Sequence, residues 1–169
     1  MKKIIFISNN LTERLIKQIY SLNKLKIFKI YLAVAYEGNN SVKNFVEEIY
    51  HYGSKNKIKS LQKRGFFGES VYDLEAKNLL SILKNKEFDL IHFHTPPNRP
   101  FEKIIHKLDC PYIIDIYDPI NFYEKSRIYT SKELKSEKIL LENCSAIVTK
   151  FPEELYQEYQ KIGVNILDK

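Results

Sequence analysis

The sequence predicts an α/β protein in which a mostly parallel β-sheet is covered by helices on both faces, as a three-layer sandwich. Short apolar runs alternate with amphipathic segments along all 169 residues. The apolar runs are almost unbroken, as over 27–36, which is typical of strands that are buried on both faces. The length suits a single domain of about 100–200 residues. We therefore expect residues 1–169 to form one domain.

In the first half of the chain, strands are predicted where apolar residues follow one another closely, at 3–7, 27–36 and 49–52. Asn10 and Glu13 have the spacing of a capping box, which indicates the start of a helix with Leu15 and Ile19 on its apolar face. Helical spacing of apolar residues predicts two further helices, at 42–48 and 71–86.

The second half repeats this alternation more regularly. Strands are predicted at 89–94, 112–117 and 146–149. Pro100 and Pro152 are suited to the first turn of a helix, and Thr130 with Glu133 forms a second capping box. Each strand is thus followed by a helix, as right-handed crossovers between parallel strands require.

Ligands of parallel sheets bind at the carboxyl ends of the strands. The first strand is followed by Ser8, Asn9 and Asn10, which are candidate substrate-binding residues. These residues do not form a GxGxxG turn, and the chain has no GxxxxGK[ST] motif, which argues against NAD and P-loop nucleotide binding. No acidic residue follows this strand to hold magnesium, and we expect no cofactor.

His92 and His94 lie two residues apart in a predicted strand, so both side chains should lie on one face. His92, deeper in the strand, fits a buried histidine with a structural hydrogen bond. His94 lies at the strand end, where it could act on a ligand hydroxyl as a general base. Metal binding is an alternative for the pair, but no acid or third histidine follows, and we expect no metal.

Tyr117, Asp118 and Asn121 follow the neighbouring strand and bring polar groups beside aromatic rings, a composition suited to sugars. Asp118 is a candidate catalytic residue, and Tyr117 and Asn121 are candidate substrate-binding residues. The alternative for Asp118 is a cap of a turn or helix.

The positive charge of the chain is concentrated in one segment. Residues 49–68 contain no acidic residue, in a chain of 27 basic and 21 acidic residues. Basic residues followed by paired aromatics could bind an anionic membrane surface; the candidates are Lys55, Lys57, Lys59, Lys63, Arg64, Phe66 and Phe67. The alternative is a solvated lysine-rich face with both rings in the core. No nucleic-acid module is present, so we expect no nucleic-acid partner.

The chain has no apolar run of the ~20 residues that a membrane span needs, and it has no signal-peptide pattern. We expect a cytoplasmic protein, with peripheral association at the inner face of the membrane if the basic segment binds lipid. Cys110 and Cys144 lack CxxC spacing, which favours two buried thiols over a zinc site or a disulfide.

Three motifs follow one another in the second half: FDLIHFHTP at 88–96, CPYIIDIYD at 110–118, and ENCSAIVTK at 142–150, the last continuing to Gly163 and Val164. This ordered set resembles the amino-terminal domain of GT-B glycosyltransferases of the family 4 type. The first half resembles that domain in topology only.

The resemblance implies a Rossmann-like domain, one half of a GT-B fold, that mainly holds the acceptor. It implies transfer of a sugar from a nucleotide-sugar donor to a glycan or lipid-linked acceptor. His94 matches the second histidine of the first family motif, which implies contact with the donor sugar or acceptor at the reacting centre. Tyr117 and Asp118 match the family's histidine and aspartate, with Tyr117 replacing the histidine.

The sequence departs from the family at two further places. Ser8, Asn9 and Asn10 replace the usual glycine-rich turn, and Lys150 replaces a serine. The resemblance also implies that the donor-binding carboxyl-terminal domain lies outside these residues, in a longer chain or in a partner chain. The alternatives are a non-catalytic Rossmann-like binding module and, less favoured, a metal-dependent hydrolase using His92 and His94.

Overall fold

The computed structural model describes residues 1–35, 40–53, 67–94, 99–116, 131–149 and 152–161. The strands of these segments are β1 Lys2–Ser8, β2 Phe28–Val34, β3 Glu48–His51, β4 Leu90–His94, β5 Tyr112–Ile116 and β6 Ala146–Thr149. The α-helices are α1 Glu13–Leu25, α2 Phe67–Asn85, α3 Arg99–Glu102, α4 Ser131–Asn143 and α5 Pro152–Lys161. Two 3₁₀-helices cover Asn40–Phe45 and Ile105–Lys107.

The six strands form one sheet in the order β3-β2-β1-β4-β5-β6. All strand pairings within the described segments are parallel. The chain moves outward from β1 to β3, returns through α2 to β4, and moves outward again to β6. The strand order therefore reverses between β1 and β4, which makes their carboxyl ends a topological switch point. The predicted α/β fold with a parallel sheet is confirmed.

The two faces of the sheet are covered by different helices. On one face, Ile4 and Phe6 of β1 pack against Leu15 and Ile19 of α1. We call this side the α1 face. Burying each of these two helix side chains stabilises the fold by about 1.5–3 kcal/mol. The opposite face carries the larger cluster, in which residues from α2, α3, α4 and α5 pack on the sheet, including Leu79, Phe101, Leu140 and Tyr159.

Some predicted boundaries are wrong. The N-cap of α1 is Thr12, whose Oγ1 accepts a hydrogen bond from the Leu15 N–H at 3.2 Å, so the predicted Asn10–Glu13 capping box does not form. Asn10 instead belongs to the turn after β1, since its carbonyl accepts a hydrogen bond from Ser8 Oγ at 2.8 Å. The helix predicted over 42–48 is a 3₁₀-helix that ends at Phe45.

The helix predicted from Pro100 is divided into α3 and the second 3₁₀-helix. The N–H groups of Ile104 and Lys107 donate to carbonyls three residues earlier, which tightens the chain below the α-helical turn. Cys110 and Cys144 are free thiols, of which Cys144 is buried and Cys110 half-buried. None of the helices in the described segments is long and apolar enough to cross a membrane.

Candidate functional site

Three polar residues lie side by side at the carboxyl ends of the central strands. Ser8 of β1 is the register partner of His94 of β4, which is the register partner of Asp115 of β5. They are 2%, 4% and 0% exposed, respectively, on the α1 face. Sequence reasoning places Ser8 and His94 at this edge, and the sheet brings them together with Asp115. We call these three residues the carboxyl-end row.

Helix α1 supplies two partners to the buried carboxylate. Arg14 Nη2 forms an ion pair with Asp115 Oδ1 at 2.7 Å, and Gln18 Nε2 donates to Asp115 Oδ2 at 2.5 Å. Arg14 and Gln18 are four residues apart, so they lie on the same side of the helix. A carboxylate removed from water needs such charged and hydrogen-bonded partners to stay ionised. Asp115 therefore fixes α1 against the end of the sheet.

The two histidines lie just beyond hydrogen-bonding distance of the same carboxylate. The Nε2 atoms of His92 and His94 are 4.0 Å and 3.9 Å from Asp115 Oδ2. Elsewhere in the described residues, no hydrogen-bond partner is found for either ring nitrogen of His94 or for Nε2 of His92. His92 packs its ring against Phe6, with centroids 4.7 Å apart. The hydrogen bond predicted for a structural His92 is thus not seen at Nε2.

The pKa values of both histidines are lowered. Burial lowers the pKa of His92 to about 4, and the charge that His94 carries when protonated and the charge of Arg14 act in the same direction. Burial also lowers the pKa of His94, where the Asp115 carboxylate opposes the shift and Arg14 supports it. Both imidazoles are therefore neutral at pH 7. A neutral imidazole can accept a hydrogen bond, or a proton, from a ligand hydroxyl.

The predicted substrate-binding turn after β1 is held by hydrogen bonds. Ser8 Oγ donates to the Asn10 carbonyl at 2.8 Å, so this hydroxyl closes the turn. Tyr52, which directly follows β3, places its hydroxyl 3.2 Å from the Ser8 carbonyl oxygen and 3.1 Å from Asn9 Oδ1. Asn9 is half-buried and Asn10 is exposed. The two asparagines are the part of this turn that a ligand can reach.

A groove of about 580 Å³ runs along α1 and is lined in part by Arg14, Gln18 and His92. Ser8 and His94 are not among its lining residues, so the groove lies beside the middle of the strands and not at their carboxyl ends. Across the described segments, no group of three or more His, Cys, Asp and Glu side chains is placed to hold a metal ion.

Several predicted site residues fall outside the described residues, namely Tyr117, Asp118, Asn121, Lys55, Lys57, Lys59, Lys63, Arg64 and Phe66. Phe67 is the first residue of α2. The expected grouping of Tyr117 and Asp118 with His94 stays a prediction. His94 itself is buried, although the sequence predicts that it reaches a ligand hydroxyl at the strand end.

Sequence reasoning missed Asp115, Arg14, Gln18 and Tyr52. One signal for Asp115 was available, since a carboxylate inside the apolar strand Tyr112–Ile116 is almost never buried without a partner. The partners could not be identified in the same way, because Gln18 and Asp115 are 97 positions apart in the chain.

The fold and the carboxyl-end row define a Rossmann-like α/β domain, and comparison with solved structures agrees. The structure is similar to that of a UDP-N-acetylglucosamine 2-epimerase, with a TM-score of 0.63 at 10% sequence identity. The match covers 96% of this chain and 46% of the epimerase, so the chain spans less than half of that protein. This similarity shows a Rossmann-like domain of the GT-B kind, and it does not show family 4 in particular.

A second solved structure, the spore cortex-lytic enzyme SleL of Bacillus megaterium QM B1551, matches over 88% of this chain and 41% of its own. Its TM-score is 0.33 at 15% identity, which is too low to show a common fold. No family model and no curated protein sequence matches the chain.

Proposed function

We propose that the chain is the acceptor-side half of a GT-B glycosyltransferase, which transfers a sugar from a nucleotide-sugar donor to a glycan or lipid-linked acceptor. The observation that carries the proposal is the carboxyl-end row of Ser8, His94 and Asp115, at the edge where parallel α/β folds bind ligands. The chain is similar in structure to less than half of a UDP-N-acetylglucosamine 2-epimerase. This partial match supports a domain that works together with a second one.

His94 is the proposed general base. Its neutral imidazole takes the proton of the acceptor hydroxyl while the acceptor oxygen bonds to the anomeric carbon of the sugar. The bond between that carbon and the nucleotide diphosphate breaks, and its electron pair leaves with the diphosphate. Asp118 is proposed to assist at the same centre, with Tyr117 and Asn121 binding the acceptor. Asp115, held by Arg14 and Gln18, places its negative charge 3.9 Å from His94 Nε2 and stabilises the imidazolium that forms.

Two other functions are alternatives, and each is favoured by one observation. The similarity to a UDP-N-acetylglucosamine 2-epimerase favours inversion of a sugar centre as the alternative reaction on a nucleotide sugar. The departures from the family pattern, with Tyr117 in place of histidine and no glycine-rich turn, favour a non-catalytic binding module. A two-domain protein that binds nucleotide sugars and yields only the 2-epimer would support the first, and binding without any product would support the second.

The first test uses the 169-residue chain alone. We expect it to fold and to bind N-acetylglucosamine in ligand-observed NMR, but to transfer no sugar from a panel of nucleotide sugars. The reason is that the donor contacts of the resembled family lie mostly on a second domain. Robust transfer by this chain alone would mean that the active site is misplaced, and a folded chain that binds neither sugars nor nucleotide sugars would contradict the proposal.

A further inference from the structure

We propose that Gln18 is a positioning residue of this site, which holds the Asp115 carboxylate away from His94 and thereby keeps the His94 imidazole neutral. The inference rests on the proposed function, since a general base must be unprotonated before it reacts. Gln18 belongs to none of the motifs that the sequence singles out.

Gln18 and His94 lie beside the same carboxylate oxygen. Gln18 Nε2 donates to Asp115 Oδ2 at 2.5 Å, whereas His94 Nε2 is 3.9 Å from that oxygen, beyond the about 3.2 Å that such a hydrogen bond spans. The other oxygen, Asp115 Oδ1, is held by Arg14 Nη2 at 2.7 Å. A donor from α1 therefore occupies the oxygen that His94 would otherwise use.

His94 is affected by Asp115 more directly than His92 is. His94 is the register partner of Asp115 on the neighbouring strand, while the ring of His92 packs against Phe6 with centroids 4.7 Å apart. At His94 the Asp115 carboxylate opposes the effect of burial on the pKa. At His92 burial, His94 and Arg14 all lower the pKa. The position of the carboxylate therefore matters most for His94.

The charges around His94 leave Asp115 in control of its protonation. Within the described segments, Arg14 of α1 and His92 of the same strand are the other charged or titratable groups near it, and β1 contributes the Ser8 hydroxyl, which does not titrate. Burial and Arg14 lower the pKa of His94, and Asp115 is the side chain that acts in the opposite direction. A direct hydrogen bond from the imidazolium to this carboxylate would raise the pKa further.

The other end of the Gln18 amide argues against a purely structural role. Gln18 Oε1 is buried and has no hydrogen-bond partner in the described segments, so the side chain carries the desolvation penalty of an unpaired acceptor. An apolar side chain would fill the same space without that penalty. What the amide adds is a neutral donor, which engages Asp115 without bringing another charge to the site.

The test follows the imidazole Cε1 protons of the 169-residue chain by NMR as the pH is varied. Gln18→Met keeps the length of the side chain and removes its N–H donor. The midpoint of the His94 titration should rise by about 1–2 pH units in this variant, because the imidazolium then donates to Asp115. Ser21→Ala is the matched control, since Ser21 lies on α1 and lines the same groove as Gln18. It should leave the midpoint unchanged.

A double-mutant cycle shows whether Gln18 acts through the carboxylate. In an Asp115→Asn background, Gln18→Met should cause no rise in the His94 midpoint. An equal rise in both backgrounds would overturn the inference, as would an unchanged midpoint in Gln18→Met itself.

The wild-type chain provides a second test, which decides the matter if Gln18→Met does not fold. When His94 takes up its proton, Asp115 Oδ2 should turn toward it and release Gln18. The side-chain amide signals of Gln18 should therefore shift with the same midpoint as His94, and amide signals that do not follow this midpoint would overturn the inference. Neither titration depends on catalysis. Full turnover by His94→Gln would contradict the proposed function, whereas a failed titration contradicts this inference alone.

Discussion

His92 and His94 share one face of β4 but have different neighbours. His92 packs its ring on Phe6 in the middle of the sheet, whereas His94 lies between Ser8 and Asp115 at the strand end. Both rings are buried. Their different surroundings predict different consequences of replacing each one.

For the proposed glycosyltransferase, assayed together with its donor-binding domain, we expect His94→Gln to reduce kcat about 10²–10⁴-fold, the range for loss of a positioned acid–base group. His92→Gln is the matched control and should change kcat less than tenfold. From the sequence alone, replacement of His94 is expected to leave stability unaffected. Because both histidines are buried in the structure, each replacement should instead lower the free energy of unfolding by about 1–3 kcal/mol. Urea unfolding measures this loss, and full turnover by His94→Gln would exclude the catalytic role.

The lowered pKa of His92 predicts a pH dependence of stability. In the unfolded chain this histidine takes up a proton near pH 6.5, but in the folded protein only near pH 4. Between these values the unfolded state binds more protons, so the free energy of unfolding falls as the pH falls. The difference between the two pKa values corresponds to a change of about 3 kcal/mol in the free energy of unfolding.

This dependence can be measured by urea unfolding at pH 7, 6, 5 and 4. The slope between pH 6.5 and 4 should be smaller in His92→Phe, which cannot titrate. His94, whose pKa is also lowered, contributes a slope in the same direction, so the variant should retain part of the effect. Identical slopes in the wild type and in His92→Phe would show that His92 is not buried in its neutral form.

At the scale of elements, helix α1 is joined to β5 through the Asp115 carboxylate. The ion pair is asymmetric, because the Arg14 side chain is 27% exposed and that of Asp115 is 1% exposed. A guanidinium without its partner can turn toward water. A buried carboxylate without its partner cannot.

We therefore expect Arg14→Met to destabilise the fold more than Asp115→Asn. Loss of Arg14 should cost about 3–5 kcal/mol, the range for leaving a buried charge without its partner. Asp115→Asn removes the buried negative charge together with the ion pair. Because no buried carboxylate is then left without its partner, this variant should cost less. Lys17→Met is the control, since its ion pair with Glu13 on the same helix is exposed. Equal losses for the first two variants in urea unfolding would contradict the asymmetry.

The elements themselves were largely predictable, because hydrophobic periodicity is a local property. The strands at β1, β4 and β6 agree with the predicted runs to within two residues. The start of α1 was predicted at the wrong residue, since Asn10 and Thr12 are both suitable caps and only the turn after β1 decides between them. The hydrogen bond that keeps Asn10 in that turn depends on where β1 ends.

At the scale of the whole molecule, the charge distribution predicts weak binding to anionic membranes by the segment 55–67. Each basic residue near such a surface contributes about 1 kcal/mol, and salt screens the attraction. Co-sedimentation with phosphatidylserine-containing vesicles should therefore occur at low salt and disappear at high salt. Replacing the five basic residues by glutamine should abolish it; they are Lys55, Lys57, Lys59, Lys63 and Arg64.

A control variant with the same change in net charge distinguishes a local patch from overall charge. It replaces five exposed lysines elsewhere, namely Lys29, Lys77, Lys84, Lys107 and Lys135. This variant should still sediment with the vesicles at low salt. If both variants behave alike, or if the first sediments like the wild type, the segment is a solvated face.

The sequence by itself determined the fold class, the alternation of strands and helices, and the position of Ser8 and His94 at strand ends. These follow from residue periodicity within short windows, where each signal is local. The strand order and the partners in the site were decided only by the tertiary structure. Asp115 meets Arg14 and Gln18, and Tyr52 meets Asn9, through contacts between residues 43 or more positions apart. Such contacts depend on how the strands are ordered and how α1 lies on the sheet, and no local pattern encodes either.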